Sequence, residues 1–265
     1  MPAAKTRSEA PHRPIRRGEL AERIALVTGA SRGIGRAIAE RLAGEGAYVF
    51  VNFRSAARQA AACVRRIRET GGAAEVVCAD VSHPGQVSRM FKLIGRRAGR
   101  LDILVGNAGI APIATDVERV TLQTWNETFA TNVTGAFLCV QGALPLLRQS
   151  KTGRVVFIGS AAARLGGNIG PHYAASKAAL AGLMEYLSRF LGPHGITVNL
   201  VEPGFVTTDL SSTLHRTPAQ RRRMRKEVPL HRLGTLDDVA ASVAFLAGSE
   251  GSYITRQRLQ VTGGR

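Results

Sequence analysis

RIALVTGASRGIG, residues 23–35, runs from a short apolar segment through a glycine-rich turn into a helical pattern. A strand ending at Val27 leads into Thr28, Gly29, Ala30, Ser31, Arg32, Gly33, Ile34 and Gly35, and a helix starts near Ile34. A helix N-terminus placed there directs unpaired N–H groups and the positive end of the helix dipole at the turn, which suits a pyrophosphate. Gly29 permits the tight turn, Gly33 lets the backbone approach the phosphates, and Gly35 lets helix and strand pack closely. Ser31, Arg32 and Ile34 complete the residues expected around the ligand. The spacing is G-x-x-x-G-x-G. A plain structural turn also uses glycines, and it is the strand before and the helix after that favour a nucleotide site.

Outward from this stretch, short apolar runs alternate with helical patterns, the mark of βαβ units and a parallel sheet. Strands are expected near 23–28, 47–52, 74–79, 101–106, 153–159, 195–202 and 257–261, with helices near 33–45, 55–70, 84–98, 121–149, 171–192 and 235–248. This predicts a single α/β domain over residues 21–265, a Rossmann-like doubly wound parallel sheet of about seven strands with helices on both faces. Ligands of such sheets bind outside the carboxyl ends of the strands, where strand order reverses. Residues 1–20 mix Pro, Ala and Arg without apolar periodicity and read as a basic, flexible tail, a short organellar transit segment being the alternative. Residues 205–230, polar and rich in Arg, interrupt the alternation after a strand end and read as a lid.

With 265 residues, 45% of them hydrophobic, the chain can bury one sizeable core. No apolar run approaches the roughly 20 uncharged residues of a membrane helix, and the N-terminus lacks the apolar region of a secretory signal. A cytoplasmic protein with no membrane partner is expected. The net charge of +17 attracts anionic partners. No helix-turn-helix, zinc-finger or aromatic-plus-basic pattern accompanies it, so no nucleic-acid partner is expected. Cys63, Cys78 and Cys139 are odd in number, well separated and set in apolar or helical pattern, which reads as buried free thiols, with no metal site.

Tyr173 and Lys177 stand four apart in a helical segment and so share one face. A phenol with a pKa near 10 is a poor acid–base group at neutral pH unless its anion is stabilised. A cation at about 4 Å, worth roughly 4 kcal/mol at an effective dielectric near 20, is the simplest means. Ser160, at the end of the strand near 153–159, can present its hydroxyl to a substrate oxygen and stabilise charge developing there. At the end of the second strand, Asn52, Phe53, Arg54 and Ser55 offer no carboxylate for ribose hydroxyls. Arg54 and Arg32 suit a 2′-phosphate, so NADPH is the expected cofactor, the alternative being two solvated arginines.

Together, the T-G-x-x-x-G-x-G run at residues 28–35, Ser160, and Tyr173 four before Lys177 resemble the short-chain dehydrogenase/reductase family, and the similarity extends over residues 23–264. The resemblance implies that Asp80 and Val81 bond the adenine, that Asn107, Ala108 and Gly109 close the fourth strand, and that Asn132 joins Ser160, Tyr173 and Lys177 as the catalytic set. It also implies that Tyr173 donates a proton to a ketone, that Lys177 holds the nicotinamide ribose, and that Asn132 supports a water chain returning protons from solvent. Pro203, Gly204, Val206 and Thr208 would lie beside the nicotinamide.

The 3-oxoacyl-acyl-carrier-protein reductases are the most similar branch, on the GASRGIG turn, the P-L-x-R-L-G run at residues 229–234 and the V-x-G-G ending at residues 261–264. A 3-oxoacyl thioester is then the expected substrate. Arg216, Arg221, Arg222, Arg223, Arg225 and Lys226 of the lid suit an acidic acyl carrier protein or a CoA phosphate, a solvated arginine face being the plain alternative, and the resemblance makes Lys151 and His194 carrier-docking residues. A homotetramer through helices 121–149 and 171–192 and the C-terminal segment is implied by the same resemblance. A reductase of a free sugar, steroid or cyclic polyketide would use the same catalytic residues, whereas a nucleotide sensor without turnover would lack Tyr173 or Lys177. Three residues depart from the family pattern: Glu202 before Pro203, Arg256 where glycine is usual, and Thr262 where Asp or Asn is common.

Overall fold

The computed structural model describes residues 18–207 and 217–265. Strands β1 (Ile24–Val27), β2 (Tyr48–Phe53), β3 (Ala73–Cys78), β4 (Ile103–Gly106), β5 (Arg154–Ile158), β6 (Thr197–Pro203) and β7 (Arg258–Val261) form one sheet. All its pairings are parallel and the order is β3-β2-β1-β4-β5-β6-β7. The order therefore reverses between β1 and β4, where a ligand crevice is expected. β4, β5 and β6 are buried along their whole length. Strands covered on both faces need near-continuous apolar runs, and that is why their sequences lack a clean alternation. The edge strands β3 and β7 expose part of theirs.

The helices are α1 (Gly33–Gly44), α2 (Ala57–Glu69), α3 (Pro84–Ala98), α4 (Leu122–Phe129), α5 (Gly135–Leu147), α6 (Ala162–Leu165), α7 (Pro171–Leu191), α8 (Pro218–Glu227) and α9 (Leu236–Ala247). One core layer sets α1, α2 and α9 on the sheet through Ile38, Leu42, Val64, Ile67 and Val243. The other sets α3, α5 and α7 on the opposite face through Met90, Phe91, Val140, Leu180 and Met184. Burying each such side chain contributes about 1.5–3 kcal/mol.

The helix expected over 121–149 is not uniform. It opens at Thr121, whose hydroxyl accepts the Thr124 N–H at 3.1 Å, and turns π-helical over Ala130–Thr134 before α5. A π turn inserts one residue without changing the average hydrophobic pattern, so periodicity does not register it. By length and a mean hydropathy of 1.3, Leu122–Leu147 is also apolar enough to cross a membrane, contrary to the expectation that no run approaches that length. Its inward residues Ala136, Cys139, Val140, Ala143 and Leu147 are buried in the core layer with α3 and α7, which is the place of a core helix. Cys63 and Cys139 are buried, their thiols pushed up to about 12 by desolvation. Cys78 is a correction: it faces out from the edge strand β3. Within the expected lid, α8 starts at a capping box of Thr217 and Gln220. Arg216 and Thr208 lie outside the described residues, as does nearly all of the expected N-terminal tail.

Candidate active site

The turn after β1 is tied to the end of β4 by Thr28. Its Oγ1 donates to the Val105 carbonyl at 3.1 Å and accepts the N–H groups of Asn107 and Ala108 at 2.9 and 3.0 Å. Asn107 answers through Nδ2, which donates to the carbonyls of Thr28 and Gly29 at 2.8 and 3.1 Å. Asn52, buried beneath, accepts the Gly29 N–H at 3.1 Å and donates to the carbonyls of Val77 and Ala79 at 3.2 and 3.1 Å. Sequence reasoning places Asn52 and Asn107 at the cofactor; both line the cleft beside the turn, and their amides are committed to the protein itself and set the shape of the turn.

Gly29 and Gly33 take left-handed backbone, with φ of +62° and +57°. A Cβ on Gly35 would sit 2.4 Å from Asn107 Nδ2 and 2.5 Å from the Gly29 carbonyl, so α1 meets the turn only with glycine there. At Gly33 a Cβ would meet nothing within 4 Å. The backbone is bare above an α1 N-terminus that has no side-chain cap and no acid in its first turn. Open space over free N–H donors at a positive dipole end fits a pyrophosphate.

A cleft of about 830 Å³ crosses the carboxyl ends of β1 to β4 and is lined by the turn and by residues 52–56, 79–81 and 107–112. Arg32 and Arg54 stand exposed on it. Arg54 Nη1 lies 3.8 Å from Asp80 Oδ2, so that guanidinium is shared between the cleft and a carboxylate. Burial raises the Asp80 carboxyl, but hydrogen bonds from Ser82 and the nearby Arg54 and His83 outweigh it and hold it below the usual range. Val81, Ser31 and Ala108 complete the lining, Ser31 and Val81 as buried residues.

Just past the carboxyl end of β5, the Gly159 and Ala161 N–H groups donate to Val201 and Pro203 at 2.7 and 2.9 Å, which fixes Ser160 between them. Ser160 Oγ accepts the Ala162 N–H at 3.1 Å and stands near enough to the Tyr173 hydroxyl to pull that phenol down. Lys177 is buried; its Nζ donates to the Ile158 carbonyl at 2.8 Å and lies 5.9 Å from the centroid of the Tyr173 ring. Burial lowers the Lys177 ammonium to about 8. Burial also pushes the Tyr173 phenol up, with the Ser160 hydrogen bond pulling the other way. The lysine also engages a strand-end carbonyl, and in the protein alone desolvation sets the direction of the Tyr173 phenol.

Asn132 sits in the π turn, which aims its amide out of the helix. Oδ1 accepts the Ile110 N–H at 2.8 Å, and Nδ2 donates to the Ile110 carbonyl and to Ser176 Oγ, each at 3.0 Å. Ser176 Oγ donates in turn to the Tyr173 carbonyl at 2.8 Å. A Cβ on Gly109 would lie 3.1 Å from Asn132 Oδ1 and 3.5 Å from Lys177 Nζ, so the end of β4, the π turn and α7 converge on that glycine. Ser176 and Ile110 escape sequence reasoning. Ser176 had a signal, three residues after Tyr173 on the same helix; Ile110 contributes only backbone and had none.

Gly204 N donates to Val261 at 2.9 Å, and a Cβ there would meet Thr262 Cα at 2.9 Å, so Pro203 and Gly204 end β6 against the C-terminal segment. Val206 is buried and bridges to Gly234. Of the departing residues, Glu202 is fully buried on β6, with Oε1 bonded to Arg258 Nη2 at 2.8 Å and Oε2 enclosed without a partner among the described residues. Arg256 has φ of +63°, a backbone that favours the glycine it replaces, and its Nε is bonded to Glu185.

A family model described as enoyl-(acyl carrier protein) reductase matches residues 29–265. The chain belongs to the short-chain dehydrogenase/reductase family. Within that family it is 38% identical over 240 residues to a 3-oxoacyl-(acyl-carrier-protein) reductase of Staphylococcus aureus, covering 91% of this chain and 96% of the relative. It is 38% identical over 242 residues to the enzyme of that name from Escherichia coli, covering 91% and 96%. Among solved short-chain dehydrogenase/reductase structures, a short chain dehydrogenase from Burkholderia cenocepacia in complex with NADP superposes with a TM-score of 0.85 at 39% identity, over 93% of this chain and 99% of that one. An angucycline C-6 ketoreductase with bound NADP gives a TM-score of 0.85 at 36% identity, over 93% and 96%.

Proposed function

We propose that this chain is an NADPH-dependent ketoreductase whose substrate is a 3-oxoacyl thioester borne by an acyl carrier protein in the cytoplasm. The observation that carries the reading is the grouping of Ser160 and Tyr173 with buried Lys177 at the end of β5 and the start of α7, in a chain whose relatives over nine-tenths of its length are named 3-oxoacyl-(acyl-carrier-protein) reductases. The choice of NADPH is supported by Arg32 and Arg54 on the cleft, by the lack of a carboxylate at the end of β2, and by the NADP held in solved relatives.

Bound NADPH would supply a hydride, and the residues of this chain would handle the ketone oxygen and its proton. Ser160 orients the carbonyl and stabilises negative charge as it develops. Tyr173 gives that oxygen its proton. Burial keeps the phenol protonated at neutral pH, the state a donor needs, and the Lys177 ammonium steadies the phenolate left behind. Asn132 and Ser176 fix the backbone around both groups. The lid read at residues 205–230, described over 205–207 and 217–230, would serve to enclose the bound substrate. On α8 the exposed Arg222, Arg223, Arg225 and Lys226 offer an acidic carrier a complementary face. Exposed Phe137, Tyr186 and Phe190, on α5 and α7, support assembly into a homotetramer.

NADPH oxidation measured against 3-oxoacyl thioesters, free cyclic ketones and quinones tests the reading. Thioesters are expected to give the highest kcat/KM. A clear preference for a free ketone, or for NADH over NADPH, would overturn it.

A further inference from the structure

We propose that His172 is a positioning residue that latches the cleft wall formed by residues 110–116 onto the N-terminus of α7, next to Tyr173. His172 is fully enclosed, at 0% exposure. Its Nε2 lies 2.8 Å from the Pro112 carbonyl oxygen. A carbonyl only accepts, so Nε2 carries the hydrogen and the ring is fixed in one tautomer. Nδ1 is buried without a partner among the described residues, which leaves this bond as the ring's polar commitment there.

The surroundings fit a latch. A Cβ on Gly170, where φ is +146°, would lie 2.3 Å from the Ala114 carbonyl oxygen and 2.6 Å from His172 Cε1, so wall and ring close on each other across a bare backbone. The Ala114 N–H donates to the Ile169 carbonyl at 2.8 Å. The wall is thus tied at alternate residues: Ile110 by Asn132, Pro112 by His172, Ala114 by Ile169. Ile110, Ala111 and Pro112 line the cleft. The central tie is a side chain beside the proton donor, and losing it frees the wall between the Asn132 amide at Ile110 and the backbone bond at Ala114.

Hydrogen exchange and steady-state kinetics on the full chain test this, with His172→Phe removing the donor and His172→Asn keeping one. His172→Phe is expected to raise exchange of the amides in residues 110–116 roughly tenfold, the equivalent of one intramolecular hydrogen bond, with β5 and β6 unchanged. The kinetic arm rests on the ketoreductase reading: KM for a 3-oxoacyl thioester is expected to rise roughly tenfold with a much smaller change in kcat, as for lost positioning of bound substrate. His172→Asn is expected to recover most of both effects. Unchanged exchange in residues 110–116, or a fall in kcat at constant KM, would overturn the latch. Should His172→Phe fail to fold, Gly170→Ala separates the same surfaces and carries the same two outcomes. A wild-type chain that reduces no ketone contradicts the proposed function, and exchange alone then decides the latch.

Discussion

Lys177 is held where its charge costs stability. Its folded pKa is about 8 against an ordinary 10.5, because burial disfavours the ammonium. Below pH 8 the folded chain bears the full penalty. As pH rises from about 8 to 10.5 the unfolded chain still binds a proton the folded chain has released, so stability rises through that window, by about 3 kcal/mol in all. Denaturant midpoints across pH 7–11 are expected to show this rise in the wild type and to lack it in Lys177→Met; parallel profiles would contradict it. At this scale, what the lysine does with its hydrogens is not legible in the sequence. The spacing to Tyr173 puts both on one helix face, but the acceptor, the Ile158 carbonyl, lies 19 residues earlier at a strand end. Asn52 and Asn107 were legible as site residues and not as internal braces, since their acceptors are backbone groups of other strands.

At the scale of elements, all seven strands stand where apolar runs and glycine-rich ends predict them, because a sheet covered on both faces leaves a strong sequence signal. The π turn at Ala130–Thr134 leaves none. It is stabilised from outside the helix, by the amide of Asn132 bonding a residue 22 positions earlier. Pairing of β6 with β7 depends on a buried charge that periodicity also misses. Glu202 is fully enclosed and its cation, Arg258, comes from the edge strand. Arg258→Met strands that carboxylate and is expected to cost about 3 kcal/mol, whereas replacing both residues by Leu and Met is expected to cost under about 1 kcal/mol, since an apolar pair needs no desolvation. A double-mutant cycle by urea denaturation checks this; equal losses in the single and double variants would refute it.

For the whole molecule, the net charge of +17 matters more than any single arginine. Under the proposed function it would steer an acidic carrier over long range, and salt would weaken that attraction. KM for a carrier-borne thioester is expected to rise several-fold between low salt and 0.5 M, and also in Arg222→Glu with Arg225→Glu at low salt, while KM for a small thioester stays level. Equal shifts for both substrates would remove the carrier from the account. Sedimentation is expected to show a tetramer; a monomer alone would contradict assembly through α5 and α7. Which ketone enters the cleft was the least legible property, since the catalytic hydroxyls and the phosphate turn are shared by enzymes of many substrates.

The most direct test of the central claim, that Tyr173 is the proton donor of a nicotinamide-dependent ketoreductase, is Tyr173→Phe assayed for both NADPH binding and turnover. NADPH affinity is expected to stay within about twofold of wild type while the rate falls roughly 1,000-fold, the scale of a lost acid–base group. A variant that keeps a near-normal rate would contradict the claim.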